Sequence, residues 1–130
     1  MSSEVAEVVN KFLGAFAAGD VETALSCFSE ETVVEEAHGL PFSGTFVGQA
    51  GFMELLGQMS ALFEPRVDKV EVLDAGTAAV GRIDLTFTSK ASGRELATSA
   101  VEVYRVSGGK ITHADVYYKD PAAVTALAQG

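Results

Sequence analysis

The hydrophobic pattern of this chain changes period once, near Pro65, and that switch constrains the fold more than any other feature. Before it, apolar residues recur at helical spacing; after it, they alternate. From Glu4 to Ala18, Val5, Val8, Val9, Phe12, Leu13 and Phe16 form one helical stripe. Gly19 ends that helix, and Asp20 can cap a second one over Val21 to Phe28 by accepting from the free amides of its first turn. Thr32 to Ala37 reads as a short strand, and His38-Gly39-Leu40-Pro41 as a turn. A third helix spans about Gln49 to Phe63, with Phe52, Leu55, Leu56, Met59 and Phe63 on one face and Pro65 marking its end.

Beyond Pro65, four strands are expected: Val67 to Leu73, Thr77 to Ser89, Glu95 to Val106 and Ile111 to Tyr118. Turn-forming Asp74-Ala75-Gly76, Lys90-Ala91-Ser92-Gly93 and Ser107-Gly108-Gly109 separate them, which implies an antiparallel meander. The segment from Pro121 to Gly130 reads as a frayed or helical tail. Helices first and a meander last is an α+β order, with the helices on one sheet face. At 130 residues the chain suits one domain, 1–130, with a proper core.

Composition narrows the function classes. A net charge of −9 disfavours nucleic acid and anionic membranes as partners. No stretch approaches the roughly 20 apolar residues of a membrane span. Met1-Ser2-Ser3-Glu4 lacks the basic flank and apolar run of a signal peptide, so a cytoplasmic location is expected. Cys27 is the one cysteine and reads as a small buried core residue. No Cys or His has a partner at zinc-ligand spacing, so no metal is expected, although carboxylates alone could hold magnesium.

Three patches, taken in order, carry a family resemblance. They are Phe16-Ala17-Ala18-Gly19-Asp20 closing the first helix, Phe42-Ser43-Gly44 before the third, and Val103-Tyr104-Arg105-Val106 followed by Gly109-Lys110-Ile111. In this order the chain resembles the SnoaL-like polyketide cyclases of the nuclear-transport-factor-2-like superfamily, over nearly its whole length. The resemblance implies a cone-shaped, curved antiparallel sheet wrapped around three N-terminal helices, with one internal pocket. It also brings in ketosteroid isomerase, limonene-epoxide hydrolase and non-catalytic binding proteins, which share the fold. Fold alone therefore leaves function open.

Strand alternation and the resemblance together nominate pocket residues. Of Glu35 and Glu36, one must face inward. The resemblance places Glu36 at the base position of ketosteroid isomerase and Glu102 at its second acidic position. Arg82 and Asp84 are similar to the Arg-x-Asp of the hydrolase, although a solvated outer face would carry the same pair. The nominated catalytic group is Glu36, Glu102, Asp84 and Arg82. Phe12, Phe16, Val34, Phe52, Leu56, Phe63, Tyr104 and Tyr118 are the expected substrate-binding wall, and at their spacings they equally suit a plain core. On the last strand either His113, Asp115 and Tyr117 or Thr112, Ala114, Val116 and Tyr118 face inward. The isomerase alignment favours the second set and leaves the first on a convex face, where a homodimer is expected.

Two carboxylates about 5 Å apart at an effective dielectric of about 20 repel by about 3 kcal/mol. That is about two pKa units. One acid is then protonated near neutral pH while its neighbour is ionised. The expected function is a cofactor-free acid/base enzyme acting on a small hydrophobic oxygenated molecule, in the secondary-metabolism style of the family. In the isomerase or cyclase style, ionised Glu36 removes a proton and protonated Glu102 holds the enolate oxygen. Phe12, where the isomerase has a donor tyrosine, departs from that pattern. In the hydrolase style a carboxylate activates water and Arg82 orients the pair, but Val34 and Glu36 stand where the hydrolase has its water-holding tyrosine and asparagine. The alternative is a non-catalytic small-molecule-binding or dimeric module.

Overall fold

The computed structural model describes residues 3–130. Helix α1 spans Glu4–Ala18, α2 Val21–Ser26 and α3 Gly48–Leu62, and α4 closes the chain at Pro121–Ala128. Six strands, β1 Phe28–Glu36, β2 Gly44–Val47, β3 Phe63–Asp74, β4 Ala79–Ser89, β5 Glu95–Ser107 and β6 Lys110–Tyr118, form one sheet in the order β2-β1-β6-β5-β4-β3. The sheet curves without closing, and α1 and α3 fill its concave side.

The helix boundaries follow local chemistry. The Ser3 hydroxyl accepts from Ala6 N–H at 3.2 Å and starts α1. The same residue donates through its hydroxyl and its N–H to Asp74 at 2.7 and 2.9 Å, which ties the helix start to the end of β3. Gly19 ends α1 with φ +74°, and Asp20 caps α2 by accepting from Thr23 N–H. The expected tail is a helix: Asp120 caps it and Pro121 takes its first turn, where the missing N–H costs nothing.

The strands differ from expectation in four ways, the first being that α2 stops at Ser26 and Phe28, expected as its last residue, opens β1 ahead of Thr32. The meander β3–β4–β5–β6 is antiparallel, but β6 pairs with β1 in parallel, placing Val34 beside Ala114 and Glu35 beside Asp115. The short strand β2 occupies residues for which no element was expected. Phe63 ends no helix; it opens β3, and Pro65 lies inside that strand. Proline is tolerated there because β3 is an edge strand with one side free of partners.

Two aromatic clusters fill the interior. Phe12 packs on Phe28, Phe52 and Tyr104 with ring centroids 5.2–6.0 Å apart. Phe63 packs on Phe42 and Phe87 at 6.4 and 5.0 Å. Cys27 is buried, as expected. Gly81 on β4 faces α1, where an added Cβ would lie 2.7 Å from Leu13 Cδ1 and 3.2 Å from Tyr104 Cε2. Its missing side chain lets the helix and the Tyr104 ring meet over the sheet.

Candidate functional site

A pocket opens between the concave sheet face and helices α1 and α3. Its sheet wall is Val34 and Glu36 of β1, Ile83 and Leu85 of β4, Ala100 and Glu102 of β5, and Ala114, Val116 and Tyr118 of β6. Phe12, Leu13 and Phe16 of α1 and Phe52, Leu56 and Met59 of α3 supply the rest, with Phe28. Alternation explains the selection: register sets Ala100 beside Tyr118, Glu102 beside Val116 and Tyr104 beside Ala114, so these residues share the inner face. The last strand thus turns Ala114, Val116 and Tyr118 inward, and His113, Asp115 and Tyr117 outward.

The structure brings Glu36 and Glu102 together in this pocket and leaves two other nominated residues out. Arg82 and Asp84 lie on the opposite face of β4 from Ile83 and Leu85. Their guanidinium and carboxylate pair at 3.1 Å, with side chains 42 % and 33 % exposed. The Ser99 hydroxyl donates to Asp84 at 2.7 Å and, with the guanidinium, holds that carboxyl below its usual range. Sharing a face with each other did not decide which face. Ile83 and Leu85, alternating with them, were the signal that the apolar side is the inner one.

Two wall assignments also change. Phe63 belongs to the second aromatic cluster beneath the pocket and does not line it. Tyr104 is fully buried behind the wall, where its hydroxyl donates to Glu102 Oε1. Phe12, Phe16, Val34, Phe52, Leu56 and Tyr118 line the pocket as expected. Leu13, Phe28 and Met59 join them, and nothing in their helical or strand spacing marked them apart from ordinary core.

The two acids have different surroundings. Glu36 is 8 % exposed, and its Oε1 has no hydrogen-bond partner among the described residues. Burial, then the charge of Glu102, pushes its carboxyl up to about 8, against one backbone N–H from Ala37. Glu102 keeps partial exposure as a residue, but its carboxyl is enclosed by the pocket wall, and burial pushes it up to about 7. The Tyr104 hydroxyl works in the opposite direction by stabilising the ionised form. Burial and the neighbouring carboxylates push the Tyr104 and Tyr118 phenols well above their ordinary value, so both stay protonated donors. Burial thus holds both carboxyls above the ordinary carboxylate range, and the Tyr104 hydroxyl, which favours ionisation, reaches Glu102 alone.

The inner chamber holds about 40 Å³, room for a few waters at about 10–15 Å³ each. Phe16, Phe52 and Leu56 separate it from an outer groove of about 330 Å³, bounded also by Ala17, Val21 and Val67. Phe16 and Leu56 are only partly buried.

Comparison with known proteins agrees with this architecture. The family model described as a SnoaL-like domain matches residues 9–114. The uncharacterized protein Rv0034 of Mycobacterium tuberculosis is 29 % identical over 121 residues, covering 90 % of each chain. An NTF2-like protein of unknown function from Burkholderia pseudomallei superposes with a TM-score of 0.87 at 19 % identity, covering 98 % of this chain and 99 % of its own. TerC, co-crystallized with polyporic acid, superposes at 0.85 with 20 % identity, covering 98 % and 100 %. At such identities the structural likeness is one of fold. The sequence match across most of the length carries the assignment: this chain belongs to the SnoaL-like domain family.

Proposed function

We propose that this protein is a cofactor-free acid/base enzyme of isomerase or cyclase type, acting on a small hydrophobic carbonyl compound. One observation carries the proposal. Two carboxyls share an apolar pocket; one receives the Tyr104 hydroxyl, and the other turns an unpartnered oxygen inward. In the reactive form Glu102 is ionised and Glu36 protonated. Glu102 removes a proton alpha to the substrate carbonyl, and the electron pair moves onto the carbonyl oxygen. Protonated Glu36 donates to that oxygen, with the Tyr118 hydroxyl as a second donor in place of the one Phe12 lacks. For isomerisation, Glu102 returns the proton to another carbon; for cyclisation, the enolate carbon attacks a second carbonyl of the same molecule and the resulting alkoxide takes the proton from Glu102, and either route restores both acids.

The chamber sizes suit a guest whose reacting carbonyl enters the inner chamber while its apolar remainder lies in the outer groove. The co-crystallization of TerC with polyporic acid supports an oxygenated hydrophobic guest. Hydrolase-style epoxide opening is less well supported, because Arg82 and Asp84 lie outside the cavity. For assembly, we propose a homodimer through the convex sheet face. There, on β4 and β5, Val80 faces Val103, and Val101 lies beside exposed Tyr117.

The test is solvent deuterium exchange, followed by NMR, across a panel of hydrophobic ketones and 1,3-diketones. Exchange should occur with the wild type and fall about 10²–10⁴-fold in Glu102→Gln. Unchanged exchange in that variant would remove Glu102 as the base. Saturable binding with no exchange across the panel would favour the non-catalytic carrier.

A further inference from the structure

The convex face carries a second cluster with its own chemistry, outside the pocket. His113 and Asp115 lie two residues apart on β6 and face outward. Glu35 of β1 is the register partner of Asp115 in the parallel pair. One ligand-type atom from each, an imidazole nitrogen and two carboxylate oxygens, falls within 4.8 Å of the others. His113 Nε2 and Glu35 Oε2 are 2.8 Å apart, while Asp115 has no ion-pair partner among the described residues.

We propose that Glu35, His113 and Asp115 form a three-ligand site for a divalent transition ion such as Zn²⁺ or Mn²⁺. One imidazole and two carboxylates suit this class, and thiolate-seeking ions find no ligand here. Metal–nitrogen and metal–oxygen bonds of about 2.0–2.2 Å require donor atoms closer than 4.8 Å. Side-chain movements of about an ångström achieve this, and Glu35, long and 47 % exposed at its side chain, can supply them.

Several features favour an ion over a simple ion pair. Two carboxylates flank one imidazole, so even a charged His113 leaves an excess negative charge, which a divalent ion offsets. The donors stand on adjacent hydrogen-bonded strands, so their backbones are already fixed. The solvent side leaves further coordination positions for water. Beside Asp115 runs a groove that also exposes His38. The charged neighbour on the next strand is Arg105, opposite His113 in register. It is exposed, and its long side chain can swing away from an incoming cation. Sequence spacing conceals the trio because Glu35 and His113 are 78 positions apart.

Isothermal titration of the full chain with ZnCl₂ and with MnCl₂, after EDTA treatment, tests the site. The expected result is saturable binding of one Zn²⁺ per chain, weakened at least tenfold in Asp115→Asn and in His113→Gln. Asp84→Asn, an outer-face acid outside the trio, should bind as the wild type does. Equal weakening by Asp84→Asn would mean general attraction to an acidic surface. One ion per two chains would put the ion between copies. Either result, or no saturable binding, overturns the proposal. Should the trio variants fail to fold, Mn²⁺ broadening of wild-type NMR signals decides. Broadening centred on Val33 to Glu35 and His113 to Asp115 supports the site, and broadening spread over the acidic surface refutes it.

Discussion

The Tyr104 hydroxyl donates to the Glu102 carboxyl from behind the pocket wall, on the same inner face of β5. This bond favours the ionised form of Glu102, whereas burial raises both acids. A hydrogen bond to a charged group contributes about 1.5–3 kcal/mol, or roughly one to two pKa units. Tyr104→Phe should therefore raise the Glu102 carboxyl from about 7 toward or past the Glu36 value of about 8. Carboxyl-stretch infrared titration of the pair is the readout. An unmoved lower titration would mean that Tyr104 only fills space.

With substrate, the reactive form needs Glu102 ionised and Glu36 protonated. The pH profile of kcat/KM should be a narrow bell with limbs near 7 and 8, values that belong to the coupled pair. A plateau extending from pH 5 to pH 7 would rule out this division of labour.

Stability should depend on pH through the same acids. Both folded-state values lie above the ordinary 4.5, so between about 4.5 and 8 the folded chain binds more protons than the unfolded one. Their contribution is fully present below 4.5 and is lost as pH rises through 7 and 8. Glu36→Gln, which keeps the shape without the charge, should stabilise the protein at pH 8.5 by on the order of 2 kcal/mol. It should change little at pH 4. Urea unfolding at the two pH values checks the sign.

Gly81→Ala should cost about 1–3 kcal/mol by overpacking, because the new methyl meets Leu13 and the Tyr104 ring. Displacing that ring should also weaken its bond to Glu102. Chemical denaturation with infrared titration of the same variant would show both effects together.

Phe16→Ala should join the inner chamber to the outer groove, since Phe16 lines both. Fluorescent hydrophobic probes too large for the inner chamber should bind the variant at least several-fold more tightly than the wild type. Equal affinity would mean that the partition does not limit entry.

A homodimer is expected at micromolar concentration in EDTA by light scattering after gel filtration, and Val103→Glu should dissociate it. A monomeric wild type would refute the convex-face pairing.

Much of this was legible along the chain. The stripe from Val5 to Phe16 and the turns at Gly76, Gly93 and Gly109 act locally, through helical period and turn chemistry, so they placed α1 and the β3–β6 meander. The β3 start and strand β2 were not legible. Phe63 continues the apolar face of α3, and only pairing with Ser89 of β4 makes it strand. Residues 44–47 acquire extended structure by lying against β1.

The pocket divides in the same way. Alternation by itself put Arg82 with Asp84 and Glu102 with Tyr104. Only the tertiary structure decided which sheet face is concave, so only it separated Glu102 from Asp84. It also raised both acids, because a carboxyl's proton affinity depends on burial and on partners distant in sequence. The parallel β1–β6 pairing, which brings Glu35 to His113 and Asp115, is such a long-range event. Period and turn signals act over a few residues, whereas strand order and desolvation exist only once the sheet has closed over its helices.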